Sequence, residues 1–289
     1  MFIPVKTRSG MSVSDKTQAV LERLSPGERK VADVVHGDPE AVAFGTVASV
    51  ASLAGTSGPT VVRFADRLGY AGFVGLQAAV REGLSERLRP AVERIRGAPS
   101  TPALTRTLEV ELENVRRSLE SVDPRSFRRA TKLLADARRT VFVLPSEQCR
   151  APGSNFAVEL SLLRDRVRLA GGSEFRVVSQ LARLRRSDVV VLVDLRRHER
   201  WIVDAAARVA DAGAQRIAVT DSPLSPLARG AQHAFAVAAE AAGPFDSNVG
   251  VLALLNALVA GVAGELRLEA GRRLDALESA WVSTGALVD

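Results

Sequence analysis

The apolar positions of this chain change period partway along it, and the change divides the sequence in two. From about Val13 to Leu88 the spacing is helical. Ser25-Pro26-Gly27-Glu28 predicts a helix start: serine at the cap, proline in the first turn, and glutamate three residues after the serine. Val31, Val34 and Val35 then supply an apolar face, and Gly37-Asp38-Pro39 stops it. Thr46 caps the next predicted helix, where Val47, Val50, Ala51 and Leu53 are spaced for burial. Gly55 suits the left-handed position that lets the chain turn sharply. Ser57 is the expected cap of a third helix, which tolerates Pro59 in its first turn. Val61, Phe64, Ala65 and Leu68 would face the core, while Arg63 and Arg67 share the outward face. Gly69 closes this helix, and Phe73 to Leu88 predicts a last amphipathic one. The dozen residues before this region read as a loose tail.

Gly97-Ala98-Pro99-Ser100-Thr101-Pro102 is the best linker candidate. Beyond it, Leu104 to Val122 is helical, with Leu108, Leu112, Val115 and Leu119 on one stripe, and Asp123-Pro124 opens a helix to about Ala135. Then short β-branched runs take over: Thr140 to Leu144, Asp188 to Asp194 and Arg216 to Thr220, with Arg176 to Val178 and His233 to Val237 as two further strand candidates. Helical segments at Ser154–Leu169, Glu199–Ala212 and Asp246–Leu274 separate them. Near-continuous apolar strands alternating with helices predict an α/β fold, a doubly wound parallel sheet covered on both faces. The expected organisation is an all-α helix-turn-helix domain at 13–90, a linker and connecting helix at 91–122, and the sheet domain at 123–283. Open sheets of this kind take ligands beyond the strand C-terminal ends, here the loops 145–153, 194–200 and 220–226.

Composition changes this picture little. The chain has 289 residues, 46% hydrophobic and 25% charged, with only 4% aromatic, so the core must rest on Ala, Val and Leu. A net charge of +6 agrees with an anionic partner such as DNA without deciding it. The single cysteine, Cys149, allows no internal disulfide and fits a reducing, cytoplasmic setting. The longest apolar stretch, Val249 to Gly264, is interrupted by Asn256 and reads as a buried helix rather than a membrane span.

Two short helices joined by a tight turn at 46–73 form the pattern of a DNA reader, in which the start of the second helix of the motif meets base edges. Ser57 and Thr60 stand there. Arg63 could reach a guanine or a phosphate, and Arg67 and Lys30 suit phosphates. The same spacing fits a small helical domain with a solvated arginine face. Catalysis has little support. His36, His198 and His233 are scattered, without metal spacing, and no cofactor is indicated. Cys149 near Glu147 and Arg150 could be an activated thiol, although a lone loop cysteine is usually inert. His198 beside Glu199 could move a proton on a sugar, although neighbours on one element usually point apart.

Three ordered motifs extend the reading: L-S-P-x-E-R-x-V-A-D at Leu24–Asp33, D-P-E-x-V-A-F at Asp38–Phe44 and T-V-V-R-F-A-x-R-L-G-Y-x-G-F at Thr60–Phe73. With them, Ser25 to Leu88 resembles the N-terminal domain of the RpiR family of bacterial regulators. The run A-D-A-G-A-x-R-I-A-V-T-D-S-P-L-S-P-L-A at Ala210–Ala228 resembles the sugar isomerase (SIS) domain that this family carries. The resemblance implies a winged-type helix-turn-helix, binding to a double-stranded DNA operator, and a domain that takes a phosphosugar. Two loops depart from it. The loop after the first strand, Pro145-Ser146-Glu147-Gln148-Cys149-Arg150, lacks the glycine pair. The loop after the middle strand, Asp194-Leu195-Arg196-Arg197-His198-Glu199, has two arginines and a histidine where hydroxyls are usual. Arginine forks bind phosphate or carboxylate, so a small anionic effector held by Ser146, Arg196, Arg197, His198, Ser222 and Ser247 stays open. So do an empty domain kept for dimerisation and a phosphosugar isomerase. A homodimer or homotetramer is expected, formed through the Leu108–Leu119 stripe and the terminal helix.

Overall fold

A computed structural model describes residues 13–87, 101–223 and 225–286. The expected tail and most of the expected linker, residues 97–100, lie outside the described residues. The chain divides into two compact units, 1–93 and 94–289.

The first unit is built from α1 (Val13–Val20), a 3-10 turn (Leu21–Arg23), α2 (Pro26–Gly37), α3 (Pro39–Phe44), α4 (Val47–Leu53), α5 (Gly58–Arg67) and α6 (Gly72–Arg87). The capping signals act as the sequence predicts. Ser25 and Glu28 form a reciprocal capping box on α2, and Thr46 and Ser49 form another on α4. Gly55 and Gly69 take positive φ. In each case the amide after the glycine bonds back five residues, Thr56 to Ala51 and Tyr70 to Ala65, which closes α4 and α5 with matching turns. Val31, Val50, Val61, Phe64 and Leu76 are fully buried at the centre.

Four expectations need correction here. Asp38-Pro39 both stops α2 and starts α3, because the Asp38 carboxylate accepts from the Ala41 amide at 3.0 Å. Leu53 is exposed rather than packed. Ser57 sits at the cap position of α5 without a side-chain capping bond. The described residues of this unit contain no strand, so the implied wing is absent from them.

The second unit begins with α7 (Ala103–Glu120) and α8 (Pro124–Ala135), the latter capped by Asp123. There follow β1 (Val141–Pro145), α9 (Arg150–Leu163), β2 (Val167–Leu169), α10 (Glu174–Leu181), β3 (Val189–Val193), α11 (Arg200–Asp211), β4 (Gln215–Thr220), β5 (His233–Ala236) and α12 (Val249–Thr284). The five strands form one parallel sheet in the order β2-β1-β3-β4-β5. Val141, Val143, Val189, Val191, Ile217 and Phe235 face α8, α9 and α12. Phe142, Leu144, Val190, Leu192 and Ala218 face α10 and α11. Burial on both faces is why these strands read as continuous apolar runs.

The predicted helix at 154–169 ends at Leu163. Arg166 turns through a positive φ, and the short edge strand β2 follows. Arg176 to Val178 lies in α10, not in a strand. The terminal helix is longer than predicted, reaching Thr284. By length and composition alone it could cross a membrane, but Val251, Leu254, Leu255, Leu258 and Val262 in its first half pack on the sheet.

Candidate functional site

In the first unit, α5 presents one side to the core and the other to solvent. Arg63 and Lys30 are exposed, as are Ser57 and Pro59. Thr60 is not: it is 7% exposed, with its hydroxyl between Ser57 Oγ (2.9 Å) and Arg63 Nη2, which donates to it at 3.0 Å. Thr60 therefore orients Arg63 and Ser57 rather than offering its own methyl to a ligand. Arg67 is committed on one edge, because its Nε donates to Glu28 Oε1 at 2.9 Å. Burial of Glu28 acts to raise its pKa, but the Ser25 amide and the Arg67 guanidinium outweigh it and hold the carboxyl below the ordinary carboxylate value.

In the second unit the strand order reverses between β1 and β3, the place where open α/β sheets form a ligand crevice. The loops after β1, β3 and β4 and the segment 237–248 meet at this end. Ser146 is fully buried, its amide bonded to the Val193 carbonyl and its hydroxyl to the Cys149 amide. Asn248, just before α12, joins the β1 loop through the Gln148 carbonyl and the Cys149 thiol. Burial, with Asp194 nearby, pushes that thiol up to about 12, so Cys149 is not an activated nucleophile.

His198 and Glu199 point apart. His198 lies between Asp194 Oδ2 at 2.8 Å and Ser225 Oγ at 2.9 Å. Glu199 reaches across the crevice to accept the Glu147 amide at 2.8 Å and the Trp201 indole N–H. Arg196 is 12% exposed and bonds Asp246 at 2.7 Å, the Ala239 carbonyl at 3.3 Å and Glu240 at 3.5 Å. Burial opposes its charge, but Asp246 and Glu240 more than compensate and raise its pKa further. Arg197 is exposed, at positive φ. Ser222 is buried. Ser247 donates to Glu111 Oε2 at 2.6 Å.

Three of the groups suited to an anion thus already hold carboxylates of this chain: the Glu147 amide holds Glu199, Arg196 holds Asp246 and Ser247 holds Glu111. Sequence reasoning missed Glu111 and Asn114, which lie on α7. The available signal was polar spacing: Glu111, Asn114 and Ser118 line the helix flank beside the leucine stripe.

Comparison with known proteins gives two family matches. The model described as "Helix-turn-helix domain, rpiR family" matches residues 11–87, and the SIS domain model matches 151–261. The HTH-type transcriptional regulator HexR of Pseudomonas aeruginosa is 28% identical over 224 residues, covering 74% of this chain and 75% of that one. The sugar isomerase domain of an RpiR transcription factor from Sphaerobacter thermophilus superposes with a TM-score of 0.56 at 28% identity, over 61% of this chain and 98% of that one. The NanR protein of Vibrio vulnificus, solved with ManNAc-6P, shares the fold at a TM-score of 0.59 and 19% identity, over 95% of this chain and 98% of that one. With a helix-turn-helix unit that matches the rpiR model and a parallel-sheet SIS domain after it, this chain carries the domain pair of the RpiR family of DNA-binding transcriptional regulators.

Proposed function

We propose that this regulator reads its operator with Arg63, Ser57 and Lys30 and with the outer edge of Arg67, while Thr60 sets the Arg63 side chain. The carrying observation is the exposure of Arg63 and Lys30 beside a helix whose other face is buried core. An arginine fork suits guanine in the major groove, and the other cations suit phosphates. The protein acts in the cytoplasm as a dimer joined through the leucine stripe of α7 and through α12. Leu108, Leu112 and Leu119 are all exposed in the single chain, which supports a second copy as their cover. Two reading helices then favour a pseudo-palindromic operator. The test is binding to DNA upstream of the protein's own gene, against a scrambled duplex, at several salt concentrations. Specific binding with a steep salt slope supports the reading, and equal weak binding to both duplexes overturns it for that DNA.

The SIS domain senses a small anionic metabolite, with a phosphosugar as the leading class, in the crevice between β1 and β3. The effector takes over anion-binding groups now held by internal carboxylates. The same carboxylates favour a second reading, in which the crevice is closed and the domain serves only to dimerise. A thermal-shift screen of phosphosugars separates the two. A ligand that stabilises the wild type but not the Arg196→Ala, Arg197→Ala double variant supports sensing. The chain is a regulator without isomerase activity. Its thiol is buried and His198 is held between Asp194 and Ser225. Turnover of ketose and aldose phosphates that His198→Ala abolishes would overturn this.

A further inference from the structure

The helix α7 is built inside out. Its leucines at 104, 108, 112 and 119 are 87%, 61%, 62% and 40% exposed, whereas the residues it buries are Asn114 and Ser118. It is held to its own unit by packing on α12 and by hydrogen bonds to one stretch of chain. Ser118 Oγ accepts the Ala238 amide at 2.9 Å, and Asn114 grips Glu240 at both its carbonyl (2.7 Å) and its amide (3.2 Å). Arg106 donates to the Ala242 carbonyl at 2.6 Å. Glu111, steadied by Asn114 Nδ2 at 2.9 Å, accepts from Ser247 Oγ at 2.6 Å. The same stretch, 236–247, meets the crevice from the other side, where Arg196 bonds Ala239, Glu240 and Asp246.

We infer that Glu111 is the coupling residue of the sensor: a carboxylate of the connecting helix that competes with the effector's anionic group for Ser247. The inference rests on the crevice being the effector site. A hydrogen bond is worth little net, about 1 kcal/mol, so a helix whose leucines face outward can exchange polar partners along this segment, starting with the part-buried Ser247–Glu111 bond. An anion accepting from Ser247 and drawing Arg196 away from Asp246 takes the partner of Glu111 and shifts the segment that Asn114 grips. The helix α7 then loses its register on 236–247. In sequence this helix is the first described element after the DNA-binding unit, so its register is where occupancy can be converted into a change in DNA binding. By linkage, whatever frees Glu111 strengthens effector binding and moves the protein toward its liganded DNA affinity.

The test uses the full-length protein, with inorganic phosphate, fructose 6-phosphate and ManNAc-6P as probes and the upstream DNA as readout. Glu111→Ala removes the competitor, Glu111→Gln keeps its shape without the charge, and Glu109→Ala changes an exposed glutamate on the same helix. The expected result is that Glu111→Ala binds the probe roughly tenfold more tightly than wild type. Its DNA affinity without probe equals that of the liganded wild type, and Glu111→Gln falls between. Glu109→Ala matches wild type. If the wild type binds a probe and neither Glu111 variant tightens that binding or shifts DNA affinity, the coupling role is overturned while the effector site stands. If no protein in the set binds any probe, both fall together. Circular dichroism of each variant, matching wild type, shows that a lost response is not lost folding.

Discussion

Arg67 and Glu28 join α5 to the start of α2. The Nε of Arg67 donates to Glu28 Oε1 at 2.9 Å, while Glu28 Oε2 accepts the Ser25 amide at 2.8 Å. Glu28 is 2% exposed and Arg67 is 43% exposed, so the two ends of the pair differ in cost. Glu28→Ala strips the capping box and leaves the Ser25 amide without its partner, a loss of about 2–3 kcal/mol. Arg67→Ala costs about 1 kcal/mol, because solvent screens its half-exposed guanidinium. Hydrogen exchange of α2 and α5 amides in the full chain measures both, and equal effects would show that the cap contributes nothing.

The same carboxylate makes the first unit acid-sensitive. Its folded pKa lies below the ordinary value of 4.5. Its contribution is therefore complete above that value and is lost as pH falls through the lowered one. Exchange protection of α2 should fall between neutral pH and the acid side of that range in the wild type. Glu28→Gln should begin lower and change less. Parallel curves for the two proteins would assign the acid response to other groups.

On DNA Arg63, Lys30 and Thr60 should separate by role. Arg63→Ala is expected to cost about 1–3 kcal/mol on the operator and to relax the preference for it over scrambled DNA. Lys30→Ala should weaken both duplexes alike and reduce the salt slope by about one. Thr60→Val keeps the shape of the side chain and removes the acceptor of Arg63, so it should reproduce part of the Arg63→Ala loss with Arg63 intact. Fluorescence anisotropy at three salt concentrations reads all of these. Unchanged discrimination in both Arg63→Ala and Thr60→Val would place base reading elsewhere.

The thiol of Cys149 is fully buried and pushed up to about 12. Native protein should therefore react with a thiol-specific disulfide reagent at mildly alkaline pH far more slowly than unfolded protein does. Unfolding in urea should restore the rate of a simple thiol. Fast reaction of the native chain would show that the loop between Ser146 and Arg150 opens in solution.

Much of the fold was legible because its local signals agree with its packing. Ser25, Glu28, Thr46, Gly55 and Gly69 announce helix ends whatever surrounds them, and the β3 valines admit only a strand buried on both faces. What stayed hidden depends on tertiary context. Three residues of β2 follow a helix without a turn signal, and Arg166 takes a positive φ that arginine does not advertise. At the crevice, the residue types pointed to anion binding, but a sequence cannot show that Glu199, Asp246 and Glu111 fold back onto those groups. The leucine stripe of α7, expected at an oligomer contact, is exposed in the single chain, although burial and oligomer contact share one period.

The tightest point of the α7 grip is Gly250, one residue into α12. A Cβ there would overlap the Ala238 carbonyl oxygen and come within 2.5 Å of Ser118 Oγ. Ser118 Oγ accepts the Ala238 amide in the hydrogen bond that fastens α7 to the segment just past β5, and the overlapped oxygen belongs to the same Ala238, so neither residue can move without loosening that bond. By helix propensity alone Gly250→Ala would stabilise α12 by up to about 1 kcal/mol. The steric cost of overpacking, about 1–3 kcal/mol, should win. The variant should melt earlier than wild type, and exchange of the Ala238 amide should accelerate. Gly264→Ala, on the same helix with open space around its Cβ position, should show the propensity gain instead. If both variants gain stability, α7 and α12 are not packed as closely as the Ser118 bond requires, and the hold of α7 on segment 236–247 would be looser than drawn.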